Sequence, residues 1–162
     1  MEPRIDLMQN QLGSKLAKRL FAVHSLLQQT GLPTATQNLV MLRASQINGC
    51  GHCIDIHSKE AAAEGETTTR LNLVAGWRHS TVFTEEERAA LAMTEEATRL
   101  ADASEGVSEE TWARAAKYYD ENQLIGLVTL IAMINATNRM AVTLNQLGGS
   151  YEPGLMANAI SS

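Results

Sequence analysis

The sequence predicts an all-α fold of about six to seven helices that assembles as an oligomer. Three observations predict it. Aromatic residues make up only 4% of the chain while Ala, Leu and Met are common, a mixture that favours helix over strand. Apolar residues recur at spacings of three and four along most of the chain. Cap and turn signals fall between those stretches: Gly31 with Pro33, Asn48-Gly49, Thr84 with Glu87, and Gly148-Gly149.

Taken in order, residues 14–29 read as a first helix, with Leu16, Leu20, Val23 and Leu27 on one stripe. Gly31 and Pro33 end it. A second helix starts at Thr34, which has capping-box spacing to Gln37, and breaks at Asn48-Gly49. A third begins at the Cys50 turn and stops before Gly65. Residues 67–79 form a shorter helix with Leu71, Val74 and Trp77. Thr84 and Glu87 open an amphipathic helix to about residue 101, and Ser108 opens another to about 119. The last helix runs from about 122 to 147, where Gly148-Gly149 stops it.

The 162 residues suggest one domain, with 1–33 as an N-terminal helical extension, 34–147 as the core and 148–162 as a tail. The net charge of −5 and the scatter of Lys and Arg among acids leave no electrostatic footprint for nucleic acid. No signal-peptide pattern and no run of roughly 18 apolar residues are present, so no membrane partner and a cytoplasmic location are expected. Apolar, Ala-rich helices in a chain of this size favour a homo-oligomer.

The chemistry sits in Cys50-Gly51-His52-Cys53, followed by His57. Two cysteines so close add little as a staple, and in a cytosolic chain they point to redox chemistry or metal binding. Asn48-Gly49 places them in the first turn of a helix, where free N–H groups and the helix dipole favour a thiolate. Counted from Cys50 at about 100° per residue, Cys53 falls at about 300° and His57 at about 340°, on one stripe. His52 falls at about 200°, on the other side. His57 is therefore the better proton partner. One thiolate would attack an oxidant or disulfide and the other cysteine would resolve the product. Two alternatives remain at this point: cysteines packed as small hydrophobes, and zinc held by Cys50, Cys53 and His57.

The stretch 39–57, with its Cys-x-His-Cys-x3-His spacing, resembles the alkylhydroperoxidase AhpD-like family of the carboxymuconolactone decarboxylase superfamily. The similarity continues through 83–95 and 134–139. The resemblance implies an all-α fold in dimers, trimers or hexamers, and peroxidase and disulfide reductase activity without haem or metal. It implies that Cys53 attacks a hydroperoxide, Cys50 resolves, His57 belongs to a proton relay, and His52 sits beside it. It implies a lipoyl-bearing or thioredoxin-like protein as reductant. One position departs from the family: its relay glutamate, twelve residues before the first cysteine, is Asn38 here. An amide cannot take up a proton at neutral pH. Glu60, Glu64, Glu95 and Glu96 are candidate substitutes, and Asn38→Glu is expected to speed reaction with peroxide. A non-catalytic redox-sensing module and a decarboxylase-like lyase are the competing functions. The decarboxylase branch does not use the cysteine pair, so its presence argues for the redox branch.

The remaining marked residues read as structure. His24 is expected in the core or at an interface, and His79 at a helix end. Trp77 and Trp112 are expected in the core or at a subunit contact. Met8, Met41, Met93, Met133, Met140 and Met156 read as core or interface fillers. Asn135 and Arg139 are expected buried and hydrogen-bonded.

Overall fold

The structure is a computed structural model that describes residues 2–103 and 105–155. It holds seven α-helices and, among the described residues, no strand: α1 Gln11–Leu27, α2 Thr34–Ile47, α3 Gly51–Ala63, α4 Thr68–Leu73, α5 Glu85–Thr98, α6 Glu109–Ala116 and α7 Glu121–Thr143. Short 3-10 turns follow α1, α4 and α5. Met156 lies outside the described residues, as does the end of the tail.

Helix α2 is the centre. It packs against α3, α5 and α7, and most of its residues are buried, including Thr36, Gln37, Asn38 and Ser45. A helix enclosed on several sides loses its amphipathic pattern and must satisfy its polar groups locally. One apolar cluster joins Val40 and Met41 to Met93 of α5 and to Leu127, Leu130 and Ile131 of α7. A second joins Leu39 and Leu42 to Val74, Trp77, Phe83 and Leu91. Helix α7 is long and apolar enough to cross a membrane by length and composition, but here it packs along α2, α5 and α1.

Several boundaries differ from the sequence expectation for physical reasons. Helix α1 starts earlier, because Asn10 caps it by accepting from the Gly13 N–H at 2.8 Å. Its packed side is Gly13, Ala17 and Leu27, while Leu16 is 52% exposed. Thr34 does not form the expected capping box: Pro33 is the N-cap, and Gln37 instead donates to the Leu32 carbonyl. The 67–79 helix divides at Val74 into α4 and a 3-10 turn. The Thr84–Glu87 box forms as predicted. Helix α7 begins with a second box, Asp120 with Gln123. It stops before Gly148, at Asn145, whose φ of 55° closes the end while Gln146 N–H donates to the Ala141 carbonyl. Trp77 is buried whereas Trp112 is exposed. Arg139 is exposed, and Asn138 rather than Arg139 joins Asn135 in the core.

Two ion-pair hubs fasten the α5 side. Arg70 bridges Glu66 and Glu87. Glu95, buried on α5, accepts from Arg43 at 2.5 Å, Arg78 at 2.8 Å and Trp77 Nε1 at 3.0 Å. Burial alone would raise the Glu95 carboxyl, but the hydrogen bonds from Trp77, Arg43 and Arg78 outweigh it and hold the group below its ordinary value. The N-terminal segment also meets the end of α7. Arg4 donates to the Leu144 and Thr143 carbonyls, and Asn145 and Gln146 donate to the Glu2 and Ile5 carbonyls.

Glu95→Ala is expected to cost about 3 kcal/mol or more at pH 7, because it strands a buried Arg43 and removes the acceptor of Trp77. Because the folded carboxyl is depressed, this contribution is complete above an ordinary value of 4.5 and is lost as pH falls through the folded value. Urea unfolding of both proteins at pH 7 and at low pH checks this. A gap that stayed constant across that range would contradict it.

Candidate active site

The cysteine pair sits at a junction that α2 and α3 share. Helix α2 ends in a left-handed turn at Gly49, φ 64°, a conformation that a side chain would strain. The Cys50 N–H then donates to the Ser45 carbonyl, closing α2. The same residue is the N-cap of α3, where its sulfur accepts from the Cys53 N–H at 3.2 Å. Cys50 and Cys53 are joined as a disulfide with their Cα atoms 5.3 Å apart. Both are buried, and both lie at the helix end that favours a thiolate on reduction. The geometry expected from Asn48-Gly49 is therefore present. With the sulfurs bonded to each other, no group of three metal-ligating side chains is found among the described residues.

The turn is fixed from the opposite side. Asn48 Nδ2 donates to both Asn135 Oδ1 and Asn138 Oδ1 at 2.9 Å. Asn138 donates on to Ser45 Oγ, and Asn135 to Thr98 Oγ1 and the Ile131 carbonyl. These polar residues on apolar α7 complete one another's bonds, so none is left stranded.

Cys53 opens onto a cavity of about 180 Å³ between α1, α3 and α7. Its walls are mostly apolar, with Leu20, Phe21, Met41, Ile134 and Met140 among them, and Leu7 and Met8 close one side. His57 and His52 line it as well. The expectation that His52 points away is overturned. His52 and Cys53 stand about 100° apart as the count requires, but the cavity is wide enough to take in both, while Cys50, the N-cap, lies outside the helix. Within α3, His52 stacks over Ile56 and Cys53 over His57, as two adjacent i,i+4 columns facing one cavity. Cys50 does not line the cavity.

His57 is buried, and its imidazole is lowered to about 4, first by loss of hydration and then by the nearby His24 and His52 charges. It is neutral at pH 7. His52 Nδ1 lies 3.1 Å from the Leu147 carbonyl. A carbonyl only accepts, so this nitrogen carries the hydrogen and Nε2 is the basic one. Behind this contact, Gly148 lies against the Gly51 carbonyl where a Cβ would clash, and Asp55 accepts from the Gly149 and Tyr151 N–H groups.

Asn38 does not line the cavity. It is buried beside Ala61 and donates to Glu64 Oε2 at 2.6 Å. A glutamate at 38 would set two carboxylates against each other, and only one would ionise readily. The expected gain from Asn38→Glu therefore carries an electrostatic cost that the sequence did not reveal. The other candidate carboxylates have structural partners: Glu60 holds Tyr151 and the Gly154 N–H, Glu95 the arginine hub, and Glu96 the Ser108 and Thr111 cap. His24, read from the sequence as a core or interface residue, lines the cavity with Cys53 and His57. A signal for it was available. His24 is seven residues beyond Ala17 and three before Leu27, on the packed stripe of α1.

The comparisons with known proteins bear on the family and the fold. The family model described as the carboxymuconolactone decarboxylase family matches residues 14–96. The uncharacterized protein YdfG of Bacillus subtilis is 34% identical over 122 residues, spanning 75% of this chain and 82% of that protein. The crystal structure of an Agrobacterium tumefaciens protein of unknown function, suggested to be the antioxidant defence protein AhpD, superposes with a TM-score of 0.84 at 29% identity, covering 93% of this chain and all of that one. An alkylhydroperoxidase AhpD core, an uncharacterized peroxidase-related protein from Ralstonia eutropha, has a TM-score of 0.66 at 19% identity, over 82% of this chain and 70% of its own, and shares the fold. With the helical fold and the cysteine pair at the start of α3, these matches place the chain in the carboxymuconolactone decarboxylase family, with AhpD-like structural neighbours.

Proposed function

We propose that the protein is a thiol-dependent peroxidase and disulfide reductase working through Cys50 and Cys53. The observation that carries this reading is the disulfide at a helix N-terminus, with one of its sulfurs facing an apolar cavity that also holds imidazoles. Cys53 lines the cavity and Cys50 does not, which supports Cys53 as the attacking sulfur. In the reduced protein the Cys53 thiolate attacks the distal oxygen of a hydroperoxide. The O–O bond breaks, an alcohol leaves once it has gained a proton, and Cys53 becomes a sulfenic acid. Cys50 attacks that sulfur, the S–O bond breaks, water leaves and the disulfide forms. Two electrons pass from the sulfurs to the peroxide. A lipoyl-bearing or thioredoxin-like dithiol protein returns them in a cytoplasmic setting. His57, neutral and beside Cys53, is suited to accept the thiol proton.

The apolar lining favours a hydroperoxide with an apolar body over hydrogen peroxide. The same reading takes the chain as a homo-oligomer. Leu12, Leu16 and Leu26 of α1 and Ile125 and Val128 of α7 are exposed, which supports burial against a second copy. A second reading, a redox-sensing module without turnover, is favoured by one observation: among the described residues no carboxylate lines the cavity.

Cumene hydroperoxide added to the reduced protein is expected to remove both thiols and lower the mass of the Cys50–Cys53 peptide by about two hydrogens. With a dithiol reductant, turnover is expected to continue, and Cys53→Ser to abolish it. Undiminished peroxide consumption by that variant would refute the mechanism. A single oxidation without turnover in the unaltered protein would favour sensing.

The His57 imidazole gives a pH dependence. Its folded value is about 4 against an ordinary 6.5, so between these the unfolded chain holds a proton at residue 57 that the folded chain lacks. This contribution to stability is complete above the upper value and is lost as pH falls through the window, about 3 kcal/mol in all. His57→Gln is expected to flatten the slope of stability between pH 4 and 6.5 in urea titrations. Parallel slopes in the two proteins would count against it.

A further inference from the structure

We propose that His24 is the proton-exchange partner of His57, linking that buried ring to the solvent beside Glu64 and acting where the cavity lacks a carboxylate. The proposal rests on the thiol reading of the site and concerns how Cys53 is served with a base.

The cavity presents four titratable side chains, Cys53, His24, His52 and His57, and none of its described lining residues is acidic. His57 is 8% exposed, so it exchanges protons with water only through a neighbour or through the cavity. Its low affinity for a proton makes it a transient carrier and a poor final acceptor. His52 is held at one nitrogen by the Leu147 carbonyl. His24 reaches the same space from α1. His24 also occupies a position on the packed stripe of α1 that Ala17 and Leu27 fill with apolar groups. Packing alone would be served as well by leucine.

Electrostatics gives this ring a direction. Burial lowers the His24 imidazole, and the Glu64 carboxylate pulls it back up. Glu64 is exposed and is steered by the amide of Asn38. Asn38 thus holds the carboxylate whose charge favours the protonated His24, even though it cannot carry a proton itself. The titratable groups that share the cavity with His24 are His52, Cys53 and His57 of α3, and the charge that acts on it is Glu64, the C-cap of that helix. The N-terminal segment, α2 and α7 bring Leu7, Met8, Met41, Leu130 and Thr137 to the cavity, none of them titratable.

The Cys53 thiol gives its proton to His57, which passes it to His24, where Glu64 balances the charge. A lone pair of the Cys53 thiolate then forms the S–O bond as the O–O bond breaks, and the leaving alkoxide takes a proton back along the same path. The thiol proton ends on the alcohol, and no co-reactant beyond the hydroperoxide is needed. His24 acts through His57 and is a positioning residue rather than a group on the reacting atoms.

His24→Gln keeps a polar side chain and removes the proton site. In the reduced variant, alkylation of Cys53 by iodoacetamide is expected to shift to higher pH. Peroxide turnover at pH 7 is expected to fall about 100-fold with KM little changed. Imidazole in the buffer is expected to restore turnover to His24→Ala. The alkylation profile needs no peroxide, so it reads His24 even where turnover is absent and separates this proposal from the peroxidase reading. Should both His24 variants fail to fold, Glu64→Gln at the surface is expected to lower the His24 titration midpoint seen by NMR and to move the alkylation profile. An unchanged alkylation profile in folded His24→Gln, or in Glu64→Gln, would overturn the proposal.

Discussion

The buried amide network between α2 and α7 is the constraint on which the site depends. Asn48 carries two donors, and Asn135 and Asn138 turn two acceptors toward them from one face of α7. A hydrogen bond in a dry interior is worth little in net terms when made, but costs much when broken, because the stranded group has lost its water. The chain therefore leaves α2 at one place and one angle. Since Cys50 follows two residues later and caps α3, the position of the sulfur pair is inherited from that turn.

The arginine hubs do a related task on the other flank. Glu95 gathers Arg43 from α2 and Trp77 and Arg78 from the 3-10 turn, so the central helix is tied to α5 as well as to α7. With α2 held on both sides, the cavity in front of Cys53 is completed by elements at its edge: α1, the N-terminal segment and Gln146 after α7 add to the walls that α3 and α7 supply.

The helices and the place of the cysteine pair at a helix start were legible because both are local. Thr84 with Glu87, Ser108, and the break at Asn48-Gly49 announce themselves within four residues, and the cysteine spacing needs no tertiary information. What the sequence did not expose was set by distance along the chain. Asn38 looked like a lost acid until Glu64 was found against its amide. His24 was legible as a core or interface residue, but the cavity that it lines is built with α3 and α7. His52 stands one column away from Cys53, and only the width of the cavity brings both columns to it. Polar side chains in helix interiors are read poorly one at a time, since their partners lie on other helices.

The contact between the N-terminal segment and the end of α7 has a consequence for what encloses the cysteine pair. Residues 2–5 are held by 143–146, and Leu7, Met8 and Gln146 then wall the space in front of Cys53. Contacts so distant in sequence carry the greatest loop-closure cost and exist only once everything between them has folded. A peptide spanning α2 and α3 would keep both cysteines and the helix end that favours a thiolate, but it would present them to bulk water. The enclosure of Cys53 is thus built by residues far apart in the chain, while the helix end it sits on is built by one turn.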